Sequence, residues 1–492
     1  MEETKEKKIG LIGLIGFIIS SCVGAGAFEL TQQIAAVAAP GSAIIAWVIL
    51  GLGFLLFALC LGYLSRKKPD IVGIFGYASK LAGPLCGFMS GWGYWLSAWL
   101  GNVAFATMMM STIGYFIPEF ASGNSILSVA VASAIMWLMT YFVSRGIESA
   151  AALNSIVMFC KILMLVIFII ACLFFFNAGI FTADFWGNVQ QNLTMSASPA
   201  SQTAQAGHVA NAVQNADSLG TIFEQVNRSI LVMMWAFIGI EGATVMSNRA
   251  RRKSDVSRAS VIGVITLIVL YIGVSVLPYG YMPYTEIATL GSPAVSYIFE
   301  SMAPGFGGAF VSVGIMIAIG GAWLSFTILP IETTLEMSKV GLLPSSWSKV
   351  NKYGTPISAL IVTSTCAQFF LITLLFTDDA YNFATSMCTA AIVVTWSLAV
   401  AYQIEVALEN KDRLWCVAGV VSLLILIVGF SVFGWDLFLL TLIGYIPGFF
   451  FYNKARKEKG LSTSVKEKVI MVIISGVGVA TLIMVSLGDI TI

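Results

Sequence analysis

Three kinds of residue in this sequence could do chemistry inside an otherwise apolar chain. They are glycines that interrupt helical runs, an isolated carboxylate and an isolated ammonium. The glycines occur in Ser20-Ser21-Cys22-Val23-Gly24-Ala25-Gly26-Ala27-Phe28 and in Trp235-Ala236-Phe237-Ile238-Gly239-Ile240-Glu241-Gly242, about 215 residues apart. In a bilayer, irregular backbone survives only where it lines a cavity or is buried in protein, and paired interruptions in two halves of a bundle point to a binding site at the midplane. At Gly24 and Gly26 unwinding meets no Cβ clash. Freed amides at a half-helix start suit a carboxylate and freed carbonyls suit an ammonium, which together are the head group of an amino acid. The alternative reading of the same two glycines is a close helix crossing. Glu241 lies within the second interruption; a carboxylate in mid-membrane costs about 2.5–3.5 kcal/mol on insertion scales and is a functional candidate for that reason. Lys161 is the one basic residue deep in an apolar run, and it could carry a proton or stay charged as a fixed pin. Asn102 brings a full amide into an apolar run, for a ligand or for an interhelical hydrogen bond. Trp235 presents an indole face that attracts cations.

The elements that must hold these residues are membrane helices. The chain is 58% hydrophobic and 10% charged, with a mean hydropathy of +0.90, which excludes a soluble domain of this length. Thirteen apolar runs are predicted as spans: 9–37, 42–64, 84–118, 124–144, 152–176, 228–246, 258–280, 306–335, 356–376, 383–406, 413–432, 435–452 and 467–488. Every lysine and arginine except Lys161 and Arg228 falls in segments that this count places on one side. By the positive-inside rule the N-terminus is cytoplasmic and the C-terminus external. The first run continues as a span, with no separate cleavable leader.

The net charge of +1 is sorted by side rather than in excess, so the basic loops read as topology determinants and anionic-lipid contacts and not as nucleic-acid sites. Eight scattered cysteines form no CxxC motif, and the single histidine, His208, lies in a polar loop over 178–225. No metal, cofactor or disulfide is expected, and clustered catalytic chemistry is lacking. A channel would show a polar stripe or charge ring, whereas the polar residues here stand singly at breaks.

Three segments carry a family resemblance: Val23-Gly24-Ala25-Gly26-Ala27-Phe28 in the first run, Tyr94-Trp95-Leu96-Ser97-Ala98-Trp99-Leu100-Gly101-Asn102 in the third, and Trp235 to Glu241 in the sixth. In order, over roughly residues 9–410, the chain resembles the basic amino acid/polyamine antiporter family of the amino acid–polyamine–organocation superfamily. The resemblance implies an all-α membrane protein, a five-plus-five inverted-repeat transporter bundle with discontinuous helices 1 and 6 and about 13 transmembrane helices. Its parts would be a cytoplasmic N-terminus (1–8), a first repeat of helices 1–5 (9–176), an external polar loop (177–227), a second repeat of helices 6–10 (228–410) and helices 11–13 (411–492). A thirteenth helix is similar to the arginine/ornithine branch and the related histidine/histamine branch.

The site residues implied by the resemblance are Cys22, Val23, Gly24, Ala25, Gly26, Ser97, Asn102, Trp235 and Ile238 for substrate. Tyr94, Glu241, Lys161, Trp323 and Phe326 are implied for gating or protons. The family usually has serine where this chain has Ala25. Asn102 matches an asparagine at the substrate's distal cation, and Trp235 a tryptophan that closes over it. Glu241 and Tyr94 match a gate and pH sensor. A lysine matching Lys161 replaces sodium in some members. Either Trp323 or Phe326 fills a second aromatic gate. Trp396 and Tyr402 are further gate candidates. Glu29 either attracts a cationic substrate or sits at the external vestibule. Glu332 and Glu336 are expected to be wet and cytoplasmic.

The expected function is exchange of a cationic amino acid for its metabolic product. Arginine/ornithine comes first, then histidine/histamine or another amino acid with its decarboxylation product, such as lysine/cadaverine. Proton-coupled uptake is a further alternative. Partners are the small-molecule substrates and the lipid bilayer; several such folds form homodimers, and none of these features calls for nucleic acid. The bacterial cell membrane is the expected location.

Overall fold

Long apolar runs with proline or glycine at their starts fold as helices, because proline's missing N–H and fixed φ suit a helix's first turn. The computed structural model describes residues 9–187, 219–376, 380–432 and 435–487; His208 and residues 1–8 lie outside them. Among these residues the chain is helical, with only two isolated β-bridges, Ile9 with Ala250 and Val350 with Pro356. In chain order the helices are α1 (Leu11–Cys22), α2 (Ala25–Ala35), α3 (Pro40–Lys67), α4 (Gly73–Ala82), α5 (Pro84–Ile113), α6 (Ile126–Ser144) and α7 (Ile147–Phe174). Then follow α8 (Ala178–Ala183), α9 (Ile222–Ala236), α10 (Gly242–Val245), α11 (Lys253–Val276), α12 (Tyr284–Ile287), α13 (Ala294–Met302) and α14 (Gly307–Lys339). The chain continues with α15 (Ile357–Thr373), α16 (Ala380–Glu409), α17 (Arg413–Val432), α18 (Trp435–Ile443), α19 (Tyr445–Glu458) and α20 (Val465–Leu487).

Among the described residues, ten helical stretches are long and apolar enough to cross a membrane, and the pair α1 and α2, bent by 44° at its break, makes an eleventh. The chain is thus a multi-pass, all-α membrane protein. One of the thirteen predicted runs falls short of that test: the run at 228–246 holds a 15-residue α9 that stops at Ala236. The run at 413–432 forms the 20-residue helix α17, of which the count above weighs only the Arg413–Gly429 part. Helix α9 begins earlier than the hydropathy predicts, at a capping box in which Thr221 and Glu224 satisfy each other's backbone N–H.

Helix α5 is the most buried of the long spans and α20 the least. Helix α5 packs against α14 and α16, and α1 lies against α7, α11 and α14. This arrangement surrounds the α1/α2 break with other helices. The ends bearing Lys67, Arg145, Arg249, Lys339 and Arg456 meet at one end of the bundle, where Lys67 pairs with Asp412 at 3.4 Å and Arg145 donates to the Tyr353 hydroxyl.

At this basic end the expectation for Glu332 is overturned. It is 5% exposed and accepts two hydrogen bonds from the Arg249 guanidinium, at 2.9 and 2.8 Å. It is close enough to the bundle axis for Arg249, just past α10, to cover it. Glu336, one turn on, is at the rim and pairs with Lys339. Next to Arg249 the backbone of Ile9 bonds to residues 249 and 251 on both sides, so the start of α1 is tied to the end of the α9/α10 segment. Breaking a buried ion pair strands its partner, which costs about 3–5 kcal/mol, whereas replacing both charges with apolar groups is often neutral. Glu332→Ala is therefore expected to lower the melting temperature in detergent strongly, and Arg249→Met with Glu332→Met to recover most of the loss.

Candidate functional site

The first break has two separated halves. Helix α1 ends at Cys22, Val23 and Gly24 leave helical geometry, and α2 restarts at Ala25. The amides of Ala25, Gly26 and Ala27 open the first turn of α2, where a helix provides no carbonyl four residues back. On the other side the α1 carbonyls are freed, and the Lys161 ammonium takes them. It donates to the Ser20 carbonyl at 2.9 Å, the Val23 carbonyl at 2.6 Å and Ser20 Oγ at 3.4 Å. Lys161 has no exposed surface and has an acceptor for each of its three N–H bonds.

The second break is tied to the first. Helix α9 ends at Ala236 and a tight turn runs to Glu241, with Gly239 at φ +108°, a conformation that favours glycine. Tyr271 Oη donates to the Ala236 carbonyl at 2.8 Å, and Ser21 Oγ lies 3.1 Å from the Gly239 carbonyl, which also accepts from the Gly242 N–H. Cys22 Sγ lies 3.7 Å from the Phe237 carbonyl. Gly26 and Gly239 both allow close approach: a Cβ at Gly26 would stand 2.9 Å from the Trp235 indole and 3.2 Å from Ala236 Cα, and one at Gly239 would stand 2.6 Å from Ser21 Cβ.

Between the two breaks lies a narrow gap lined by Ser21, Cys22, Gly26, Phe105, Trp235, Ile238 and Phe326. It is too narrow to admit a water molecule. Phe105 lies 5.8 Å from Trp235 and makes an edge contact at 5.0 Å with Phe326. Trp235 is held by a 3.0 Å hydrogen bond from its indole N–H to the Tyr381 hydroxyl. These rings form a flat-walled slot between α5, α9 and α14, suited to a planar or extended cation.

Asn102 sits beside this slot for a reason the sequence carries. Pro330 has no N–H, so it cannot bond to the carbonyl four residues back, which is Phe326. Asn102 Nδ2 donates to that carbonyl at 3.4 Å. The amide oxygen, Asn102 Oδ1, is buried and has no hydrogen-bond partner; Asn102 touches the Phe326 backbone but is not among the residues that line the gap.

Glu241 is fully buried. Trp396 Nε1 donates to its Oε2 at 3.0 Å, and the Tyr94 phenol faces the same carboxylate. Oε1 has no hydrogen-bond partner of ordinary geometry. Glu241, Tyr94 and Trp396 thus lie together just past the second break.

Other named residues fall elsewhere. Ser97 contacts Cys388 of α16, with the oxygen and sulfur 3.1 Å apart, and does not line the gap. Of the α14 aromatics, Phe326 lines it and Trp323 does not. Tyr402 stacks on Tyr77 of α4 at 6.0 Å. Glu29 is buried and accepts a hydrogen bond from Ser292. Val23, Gly24 and Ala25 shape the break: Val23 supplies a carbonyl to Lys161, and Gly24 packs on Phe105 and Ala322. Among the described residues no cluster of three His, Cys, Asp or Glu could hold a metal.

Sequence reasoning missed Ser21, Phe105, Tyr271 and Tyr381. Phe105 was within reach: it lies three residues after Asn102, one helical turn away on the same face.

Residues 9–479 match the amino acid permease family. The chain belongs to that family. The permease is 46% identical over 463 residues to an arginine/ornithine antiporter of Latilactobacillus sakei, covering 93% of this chain and 92% of the relative. It is 33% identical over 503 residues to an arginine/ornithine antiporter of Pseudomonas aeruginosa, covering 98% of each. It is 33% identical over 407 residues to an arginine/agmatine antiporter of Chlamydia felis, covering 82% of this permease and 79% of the relative.

Proposed function

We propose that this permease exchanges arginine for ornithine across a bacterial cell membrane, with its N-terminus and basic end on the cytoplasmic side. The near full-length similarity to arginine/ornithine antiporters supports the substrate pair. The observation that carries the site is the aromatic slot between two helix breaks, with Asn102 Oδ1 unpartnered at its side. The substrate's carboxylate would take the amides of Ala25, Gly26 and Ala27 at the half-helix N-terminus. Its side-chain cation would lie against Trp235 and Phe326 and donate to Asn102 Oδ1. Arginine and ornithine share the head group and differ at the distal cation, so one slot serves both.

The closed gap implies how access alternates. Substrate enters only if Trp235 and Phe326 separate, which requires loss of the Trp235–Tyr381 bond on one side or of the Arg249–Glu332 cover on the other. The cavity then opens to one side at a time. Glu241, Tyr94 and Trp396 would form the inner boundary of the slot. The three acceptors around Lys161 favour a fixed pin over a proton carrier, which supports exchange over proton-coupled uptake.

Counterflow in proteoliposomes tests this function. Labelled external arginine is expected to enter vesicles preloaded with ornithine and not empty vesicles. Uptake into empty vesicles would contradict obligatory exchange. Entry driven by internal agmatine or histamine and not by ornithine would reassign the product.

A further inference from the structure

An open cleft near the basic end has no part in the slot. It lies between α19 and α20, the last two described helices, with Gly460 to Thr463 across its wide end. Its volume is about 1240 Å³. Arg456, Lys457 and Lys468 line the loop end together with the hydroxyl residues Ser462 and Thr463. Deeper along the two helices the lining becomes Phe449, Phe450, Met471, Val472 and Val479. From Arg456 back to Phe449, and from Lys468 on to Val479, the helices rise roughly 10 and 16 Å. Charged and hydroxyl groups are therefore gathered at the loop end, and a mainly apolar trough, with Asn453 and Ser475 along it, extends between the two helices.

Positive charge at the mouth is in excess. Residues 454–468 contain six lysines and arginines and two glutamates, and both glutamates are engaged. Glu458 accepts from the Ser345 backbone N–H, and Glu467 from the Tyr452 hydroxyl and the Ser464 N–H. None of the four ion pairs among the described residues involves Arg456, Lys457 or Lys468. The Arg456 side chain lies over the Tyr452 ring, and its Nε is buried without a hydrogen-bond partner.

We propose that this cleft is a binding site for one anionic phospholipid, its phosphate held by Arg456, Lys457 and Lys468 and its acyl chain lying along Phe449, Phe450, Val472 and Val479. A cationic mouth above a mainly apolar trough complements an anionic amphiphile. It does not complement a soluble anion, which gains nothing from the trough, or a second protein helix, which gains nothing from unpaired cations. The bound lipid would fill the wedge between α19 and α20 and fasten the peripheral α20 to the bundle.

The test is native mass spectrometry of the full-length protein purified from bilayers of phosphatidylcholine with phosphatidylglycerol. The wild type is expected to retain one phosphatidylglycerol in preference to phosphatidylcholine. Arg456→Gln with Lys468→Gln is expected to lose it, at about fivefold weaker binding per charge removed. Gly476→Leu provides a second variant: a Cβ at Gly476 meets nothing within 4 Å, so the leucine fills the trough while keeping the cations. It too is expected to lose the lipid. Wild-type retention by both variants would overturn the proposal, as would displacement of the lipid by glycerol phosphate at equal concentration, which would indicate a free phosphate site. A dimer that both substitutions dissociate, with no lipid retained, would assign the cleft to a second copy of the chain. Arginine exchange, which uses the distant slot, checks that each variant is folded.

Discussion

Lys161→Met is expected to cost more stability and activity than any other single substitution in the bundle core. The ammonium holds the Ser20 and Val23 carbonyls at 2.9 and 2.6 Å, at a depth where no water replaces it. Each buried carbonyl left without a donor costs about 1–3 kcal/mol, so two together cost roughly 2–6 kcal/mol. Removing a buried charge recovers some desolvation energy, but the carbonyls belong to a backbone that is already unwound and have no helical partner to fall back on. The α1/α2 break is then expected to collapse or splay. The melting temperature in detergent should drop, and arginine–ornithine exchange should fall by at least about thirtyfold, the factor that corresponds to the lower bound. A thermal melt and an exchange assay at equal protein check both. Normal exchange at every pH in this variant would show that the break is held by something other than Lys161.

Trp235→Leu is the second large effect, and it separates binding from folding. The indole closes one wall of the slot, packs near Phe105 and bonds to Tyr381, and its backbone lies in the last turn of α9. Leucine keeps part of the apolar volume and removes the face that would attract a cation, worth about 0.5–2 kcal/mol. It also removes the bond to Tyr381, worth about 0.5–1.5 kcal/mol. The half-saturating concentrations of both arginine and ornithine are expected to rise together, by roughly tenfold or more, with little change in melting temperature. A rise for one ligand alone would place the other elsewhere.

The two breaks were legible because glycine spacing in an apolar run has few explanations, and Gly239 proves to need its positive φ. Lys161 and Glu241 were legible because ionisable groups are costly at that depth. The partners of those groups were not. Phe105, Ser21 and Tyr271 are ordinary residues in a chain with 33 phenylalanines and 15 tyrosines, and only the packing of α5 and α11 on the breaks singles them out. The pairing of Asn102 with the Phe326 carbonyl depends on Pro330, a signal four residues away that hydropathy does not read. The expected solvation of Glu332 failed because its neutralising partner, Arg249, lies 83 residues away in sequence. Span count was the least legible feature at 228–246, since a span interrupted by irregular turns has no continuous apolar helix to measure.

The central claim is that arginine and ornithine share the slot between the two breaks. Equilibrium binding of labelled arginine to purified wild-type protein and to Trp235→Leu, with ornithine as competitor, tests it most directly. The wild type is expected to bind one arginine per chain, fully displaced by ornithine, and Trp235→Leu to bind both ligands at least about tenfold more weakly. Unchanged binding of both ligands by Trp235→Leu, or arginine that ornithine cannot displace, would contradict the claim.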